Sequence, residues 1–250
     1  MAAALKRAMG EAGATPAAPA PVPALVLGPP RSGRSALLMR AALASAGPRT
    51  RVLFLAPCAL QQLPGVPAGA GAAHALQHVQ FLYPPSLRAL LPLLAALPGA
   101  LPRSPALLLL DGLEHYVAAC PCPRGAARLA ALLVDTAVAC ATCPHTPGLG
   151  CQLIASVCSS RTPDAAQRLA ALVRYFPARC QLSPAPGEEG PGQAWTAHLC
   201  QAGAPSHTWT ILFSPHGELS MAPAPGEEAL GLGGSWGEGR EHNREPAGED

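Results

Sequence analysis

The segment Gly28–Ser35, of sequence GPPRSGRS, has the residue types and the spacing of a phosphate-binding loop. It follows the short apolar run Ala24–Leu27 and leads into the helix-forming run Ala36–Arg40. In such a strand–turn–helix unit, glycines let the backbone approach a phosphate, and the first amides of the helix point at it. The segment therefore predicts a nucleotide site whose turn is shaped by Gly28 and Gly33.

One residue departs from the usual pattern GxxxxGK[ST], because Arg34 stands where lysine is usual. Arginine carries the same charge, but its guanidinium is planar and bulkier than an ammonium group. We expect Arg34 to bind the phosphates of ATP and the Ser35 hydroxyl to ligate Mg²⁺. The alternative is an ordinary turn in a chain that has 25 Gly and 30 Pro.

A second candidate Mg²⁺ residue, Asp111, directly follows the four leucines of Leu107–Leu110. A carboxylate at the carboxyl end of a buried parallel strand is the position from which nucleotide-binding proteins hold Mg²⁺. The alternative is a simple Asp-Gly turn after a buried strand. Glu114 follows closely and could orient a water molecule, although an exposed loop glutamate is the simpler interpretation.

Short apolar runs alternate with helical segments along most of the chain, which predicts an α/β fold with a mostly parallel sheet flanked by helices. The predicted strands of this part are 25–27, 51–55, 79–83, 106–110, 151–157 and 179–182. The predicted helices are 35–46, 86–97, 126–141 and 164–175, and residues 60–75 are expected to form a loop. Three further strands, at 194–199, 208–213 and 218–221, predict an antiparallel extension at one edge of the sheet.

Composition divides the chain into three parts: a disordered Ala/Pro arm over residues 1–20, a core over 21–222 and a disordered tail over 223–250. Hydrophobic residues make up 49% of the chain, enough for a sizeable core. No apolar run reaches the roughly 20 residues of a membrane helix. Because no secretory signal is recognisable, the nine cysteines are expected to be thiols in a reducing compartment.

Cysteine spacing gives little support for a zinc site. Cys120 and Cys122 form CxC rather than CxxC, and the pair Cys140 and Cys143 has only His145 nearby. Structural zinc sites use more regular spacings of four ligands. We therefore predict no zinc site in this chain.

Arginines supply most of the positive charge after Asp111, although the net charge of the chain is only +2. They could contact DNA phosphates locally, or be scattered surface charges. The arginines are Arg124, Arg128, Arg161, Arg168, Arg174 and Arg179.

Four segments together resemble the SWIM zinc-finger-associated ATPases of the metazoan Shu complex, which are divergent paralogues of the RecA-like recombinases. The resemblance extends from about Leu25 to Pro223. Its most discriminating parts are the sequences YPPS at 83–86 and RYFP at 174–177. The four segments are 28–38, 80–86, 107–114 and 174–178.

This resemblance implies a RecA-like P-loop core, ATP and Mg²⁺ as ligands, and a partner protein with a SWIM-domain zinc finger. It further implies binding of single-stranded DNA and support of recombinase filaments during homologous recombination in the nucleus. Loops after the later strands line the DNA channel of recombinases, so the resemblance points to Arg161 and Arg124 as DNA-binding candidates.

Three departures from recombinase ATPases predict weak or absent ATP hydrolysis. The first is Arg34. The second is the missing glutamate after the second strand, where residues 56–58 are Ala-Pro-Cys. The third is the γ-phosphate sensor, for which the strand ending at Val157 offers only serine and cysteine: Ser156, Cys158, Ser159 and Ser160. A small P-loop kinase and a nucleotide-free structural adaptor remain the alternative functions.

Overall fold

The apolar runs form a central sheet in the structure, a computed structural model. The structure describes residues 3–10, 21–66, 70–101, 103–142, 150–159, 162–185, 194–214 and 219–224. The strands in these ranges are β1 (Ala24–Gly28), β2 (Val52–Leu55), β3 (Val79–Leu82), β4 (Leu107–Leu110), β5 (Gln152–Cys158), β6 (Ala178–Pro184), β7 (Ala194–Gln201), β8 (His207–Phe213) and β9 (Leu219–Pro223). The helices are α1 (Ala3–Ala8), α2 (Arg34–Ser45), α3 (Ala70–Leu76), α4 (Leu87–Ala100), α5 (Leu113–Ala118), α6 (Pro123–Ala141) and α7 (Pro163–Val173).

In the described residues the strands form one sheet, in the order β3-β2-β4-β5-β1-β6-β7-β8-β9. Strands β1 to β6 are parallel, and β7 to β9 continue the sheet with antiparallel pairing. Both the parallel core and its antiparallel extension were predicted from the sequence, and both are confirmed. Where the predicted strands are described, their ends agree with the observed ones to within two residues.

The two faces of the sheet carry separate layers of hydrophobic core. Leu107 and Leu109 of β4 pack on the face that α1 and α2 cover. Leu108 and Leu110 pack on the other face, against residues of α4, α5, α6 and α7. Because successive side chains of a strand alternate between faces, a strand buried on both sides must be apolar throughout.

Three helices were not predicted from the sequence, and two of them correct expectations given above. The arm expected to be disordered over residues 1–20 contains α1, whose Leu5 is fully buried. The amide of Ala4 donates a 2.9 Å hydrogen bond to the Gln152 side chain of β5. The loop expected over 60–75 ends in α3. Helix α1 is only six residues long and depends on tertiary packing rather than on its own sequence, so its periodicity is weak.

Residues 1–2, 11–20 and 225–250, which include most of the predicted arm and tail, lie outside the described residues. The boundaries at 20 and 223 therefore stay predictions. No helix in the described ranges is long and apolar enough to cross a membrane.

The third unpredicted helix, α5, fixes the segment YPPS at residues 83–86. The Tyr116 hydroxyl donates a 2.7 Å hydrogen bond to the carbonyl of Pro84. A ring nitrogen of His115 lies 3.1 Å from the carbonyl of Pro85. Burial raises the pKa of Tyr116 to about 12, so its hydroxyl keeps its proton as a donor. One of the discriminating sequence segments is thus positioned by the helix that follows Asp111.

Candidate nucleotide-binding site

The loop between β1 and α2 has the backbone of a phosphate cradle. The amide of Ser32 donates to the carbonyl of Pro29 at 3.3 Å, which closes the turn. Two residues adopt left-handed conformations, Arg31 with φ 62° and Gly33 with φ 83°. A non-glycine residue at positive φ is strained, and such strain is concentrated at functional sites. Helix α2 begins immediately after this turn.

Glycine is favoured at both ends of the loop because neighbouring side chains lie close to the backbone and Gly33 has a positive φ. A Cβ atom at Gly28 would lie 2.5 Å from Ser32 Oγ and 3.0 Å from Leu182 Cβ. A Cβ atom at Gly33 would overlap the ring of Phe213, whose Cε2 would be only 2.8 Å away. The two glycines chosen from the sequence therefore have a steric reason to be glycine.

The loop also offers polar groups that a phosphate could satisfy. Ser32 is fully buried, and its hydroxyl has no hydrogen-bond partner within the described part of the chain. The first amides of α2, on Arg34, Ser35 and Ala36, have no partner inside the helix by the geometry of any helix start. An uncompensated buried hydroxyl costs about 1–3 kcal/mol, so a phosphate acceptor fits this loop.

Arg34 contacts an acidic residue rather than pointing freely into the cradle. Its Nη1 atom lies 3.3 Å from Oε1 and 3.4 Å from Oε2 of Glu114. Glu114 Oε2 also accepts a 2.9 Å hydrogen bond from the backbone amide of Cys158. The interpretation of Glu114 as an exposed loop glutamate is therefore wrong, because it lies in the first turn of α5 and binds two partners.

Asp111 lies at the end of β4 and is buried. The Ser156 hydroxyl donates a short hydrogen bond to Asp111 Oδ1 and accepts one from the amide of Gly112 at 3.0 Å. Ser156 is itself fully buried in β5, so its side chain positions the aspartate rather than facing solvent. A serine bound in this way fixes which way the carboxylate points.

Strand β5 lies between the strand of the phosphate loop and the strand of Asp111. The end of β5 is hydrogen-bonded to the elements on either side of it. The amide of Ser159 donates to the carbonyl of Gly28 at 3.0 Å, and the amide of Cys158 donates to the Glu114 carboxylate. The fold thus brings Arg34, Asp111 and the candidate sensor segment together at the carboxyl ends of the central strands β1, β4 and β5. Ser160 lies outside the described residues.

Two cavities adjoin the carboxyl ends of these strands. One, of about 260 Å³, is lined by Arg31, Gly33, Ser35 and Phe213 together with the loop residues Pro64 and Gly65. The other is an apolar groove of about 630 Å³ between α5, the end of β5 and α7. Its polar lining includes Glu114, His115, Thr162 and Arg168. Ser35 thus faces a cavity beside the cradle, where the sequence placed a Mg²⁺ ligand.

The DNA-binding candidates are only partly described. Arg124 is exposed near the start of α6. Arg161 lies outside the described residues. Arg168 lines the apolar groove and approaches Cys120. Burial raises the pKa of the Cys120 thiol, and the nearby guanidinium opposes that shift.

The cysteines in the described ranges are all free thiols. No group of three or more His, Cys, Asp or Glu residues that could hold a metal ion occurs in those ranges. Two of the residues weighed for zinc, Cys143 and His145, lie outside them.

Comparison with known proteins places the chain in a family. It is 41% identical over 225 residues to the human protein "ATPase SWSAP1", covering 86% of this chain and 96% of the human protein. The chain belongs to the SWSAP1 family. The mouse SWSAP1 is also 41% identical, over 212 residues that cover 80% of this chain and 73% of the mouse protein. No family model matches the sequence.

Solved structures similar to this SWSAP1-family chain have RecA-like folds. The RadB recombinase gives a TM-score of 0.55 at 16% identity, covering 79% of this chain and 90% of the recombinase. A DnaB-like replicative helicase gives a TM-score of 0.54 at 10% identity, covering 79% of this chain and 58% of the helicase. The resemblance to the SWSAP1 family and the predicted RecA-like fold of the core are both confirmed.

Sequence reasoning identified the phosphate loop and Asp111 but missed two side-chain contacts around them. The contact between Arg34 and Glu114 joins residues 80 positions apart, and Phe213 approaches Gly33 from the antiparallel extension. One signal was available for the first contact: a carboxylate three residues after Asp111 in a chain whose loop carries arginine. No sequence signal marks Phe213.

Proposed function

We propose that this SWSAP1-family chain binds ATP with Mg²⁺ at the β1–α2 loop and hydrolyses it slowly or not at all. The observation that carries the proposal is the buried hydroxyl of Ser32, which has no partner among the described residues and lies inside a strained turn at the start of α2. Such a turn suits a phosphate, and the name "ATPase" of the human and mouse relatives points the same way.

Each candidate residue then has a role in this proposal. Amides of the loop and of the first turn of α2 would surround the phosphates, with Gly28 and Gly33 allowing the close approach. Ser35 would ligate Mg²⁺ directly, and Asp111 would hold it through water. Bound Mg²⁺ would neutralise phosphate charge, while Ser156 keeps the Asp111 carboxylate oriented.

Slow hydrolysis is supported by the residues that come after β2. The strand ends at Leu55, and the next three residues, Ala56, Pro57 and Cys58, provide no carboxylate to activate water. Glu114 is a carboxylate near this site, but it lies in the first turn of α5 and not after β2, where recombinase ATPases carry the glutamate that activates water.

We expect a fluorescent ATP analogue to bind the wild-type chain in the presence of Mg²⁺ and to bind about ten to a hundred times more weakly to Ser35→Ala. The loss is expected because the direct Mg²⁺ ligand is removed while the loop backbone stays intact. Anisotropy titrations with and without Mg²⁺ measure it. The exposed Ser206→Ala, in the connection between β7 and β8, serves as the matched control and should bind like the wild type.

An Arg34→Lys variant separates this proposal from the adaptor alternative. The Arg34–Glu114 contact is the observation that favours an adaptor, because it occupies the residue expected to bind phosphate. With both proteins folded by circular dichroism, failure of the analogue to bind the wild type but binding by Arg34→Lys would indicate a decayed site and favour the adaptor. Failure to bind either protein would remove the nucleotide proposal altogether.

The wider role proposed is that of a recombination protein in the nucleus. The chain would act with a SWIM-domain zinc-finger partner, bind single-stranded DNA and assist RecA-like recombinases. Support comes from the sequence resemblance to SWIM zinc-finger-associated ATPases and from the RecA-like fold. Exposed arginines at the start of α6, Arg124 and Arg128, are suitable phosphate contacts, and Arg161 stays a candidate from the sequence.

Nucleotide and partner binding should respond differently to Asp111→Ala. We expect affinity for the ATP analogue in Mg²⁺ to fall about ten- to a hundredfold, as is usual when a residue that orients metal-bound water is removed. Co-purification with the SWIM-domain partner should be unchanged, because Asp111 is buried at the carboxyl end of β4 and offers little surface to a partner. The exposed Asp164→Ala is the control. Equal loss of both activities would contradict the assignment.

A further inference from the structure

Glu114 holds the arginine that the phosphate loop would use, and this contact has a consequence for nucleotide affinity. We propose that Glu114 is an affinity-determining residue of the nucleotide site, which acts by competing with the nucleotide phosphates for Arg34. The inference rests on the proposed nucleotide function. It assigns to Glu114 neither catalysis nor metal binding.

The competition follows from the chemistry of the guanidinium group. Both carboxylate oxygens of Glu114 lie within 3.4 Å of the same Arg34 nitrogen. Carboxylate and phosphate oxygens are the two anionic acceptors that guanidinium groups bind best, and they use the same donors. A phosphate that takes the Arg34 Nη1 donor must therefore displace Glu114 from it or share it.

Glu114 has a second contact that keeps it near the loop, so Arg34 is the partner expected to move. The amide of Cys158 donates to Glu114 Oε2 at 2.9 Å, and the adjacent Ser159 amide donates to Gly28 at the start of the loop. The carboxylate is thus attached to the same strand end as the loop itself. It stays near the cradle when Arg34 turns towards a phosphate, and its negative charge then opposes that of the nucleotide.

The size of the effect depends on solvent. The Arg34 side chain is 13% exposed and that of Glu114 is 37% exposed, so water screens the pair in part. Exposed ion pairs contribute little, while hydrogen bonds to charged groups away from water contribute more. This intermediate burial favours a moderate, measurable change in affinity.

Removal of the Glu114 charge tests the proposal. In Glu114→Gln the side-chain amide oxygen can still accept from the Cys158 amide, but the negative charge is gone. We expect the ATP analogue to bind about tenfold more tightly than to the wild type, the equivalent of one charged contact. The matched control is Asp135→Asn, which removes an exposed carboxylate of α6 and should leave the affinity unchanged.

A double-mutant cycle then shows whether Glu114 acts through Arg34. In an Arg34→Gln background, the Glu114→Gln change should improve affinity by less than about threefold, because no guanidinium is left to release. An equal gain in both backgrounds would overturn the proposal, since Glu114 would then act only as a general charge. Unchanged or weaker binding by Glu114→Gln in the wild-type background would also overturn it.

These results can be separated from failure of the nucleotide function itself. Binding by the wild type with no gain in Glu114→Gln defeats only the competition. Absence of binding in the wild type with binding in Glu114→Gln supports the competition but contradicts the proposal that the wild-type chain binds ATP. Absence of binding in every folded variant, including Glu114→Gln, defeats both the nucleotide function and this inference.

Discussion

Replacing Phe176 with alanine is expected to lower the free energy of unfolding by about 3–5 kcal/mol, the usual cost of truncating a buried phenylalanine. Phe176 is fully buried at the turn from α7 into β6, in the core layer that contains Leu172. The turn leaves little freedom to close the cavity, since the Phe176 amide is bonded to the carbonyl of Val173 at 3.1 Å. Urea denaturation followed by circular dichroism measures the change.

Tyr175→Ala is the matched control for this prediction. Tyr175 precedes Phe176 in the same turn, but its side chain is 37% exposed. Its truncation should cost less than about 1 kcal/mol because no cavity forms. Similar losses for the two variants would show that the turn itself, rather than the Phe176 contact, determines stability.

The second large effect is expected at Gly33, where alanine should lower the free energy of unfolding by about 2–4 kcal/mol. Two costs add: an L residue at φ 83° is strained, and the new Cβ would overlap the Phe213 ring. The strained backbone at residue 33 lies inside the phosphate loop, so binding of the ATP analogue should weaken as well. Thermal unfolding and anisotropy titration measure the two effects.

Gly203→Ala provides a control in which only the backbone cost remains. Gly203 has φ 75°, and a Cβ atom there would meet nothing within 4 Å. Gly203→Ala should lower the free energy of unfolding by about 1–2 kcal/mol and leave nucleotide binding unchanged. In a Phe213→Ala background, the cost of Gly33→Ala should fall to that of Gly203→Ala. A cost that stays the same would show that Phe213 does not restrict the loop.

Much of the fold was predictable because its signals are local. The four leucines at 107–110 predict a strand buried on both faces, and the structure places alternate leucines in the two core layers. The phosphate loop was equally clear, since its glycines and following helix lie within one short segment. Helix α1 was missed because it covers six residues and is stabilised by contacts with distant ones such as Gln152.

The parts of the site that were missed depend on contacts across the sheet. Ser156 was considered as a sensor at the strand end, but its burial beside Asp111 follows from the register of β4 with β5. The Arg34–Glu114 contact requires β5 to lie between β1 and β4, an order that no local pattern indicates. Contacts between side chains on neighbouring strands can be predicted only once the order of the strands in the sheet is known.

The position of β1 also has a consequence for biosynthesis. Its neighbours are β5 and β6, so Ala24 pairs with residues 154 and 178, which are translated long afterwards. Pairing over such separations is slow, and apolar segments remain exposed until it occurs. On the ribosome, the phosphate loop is therefore made early but acquires its shape late. A messenger truncated before the codons for β5 would encode the loop residues without either strand that supports them.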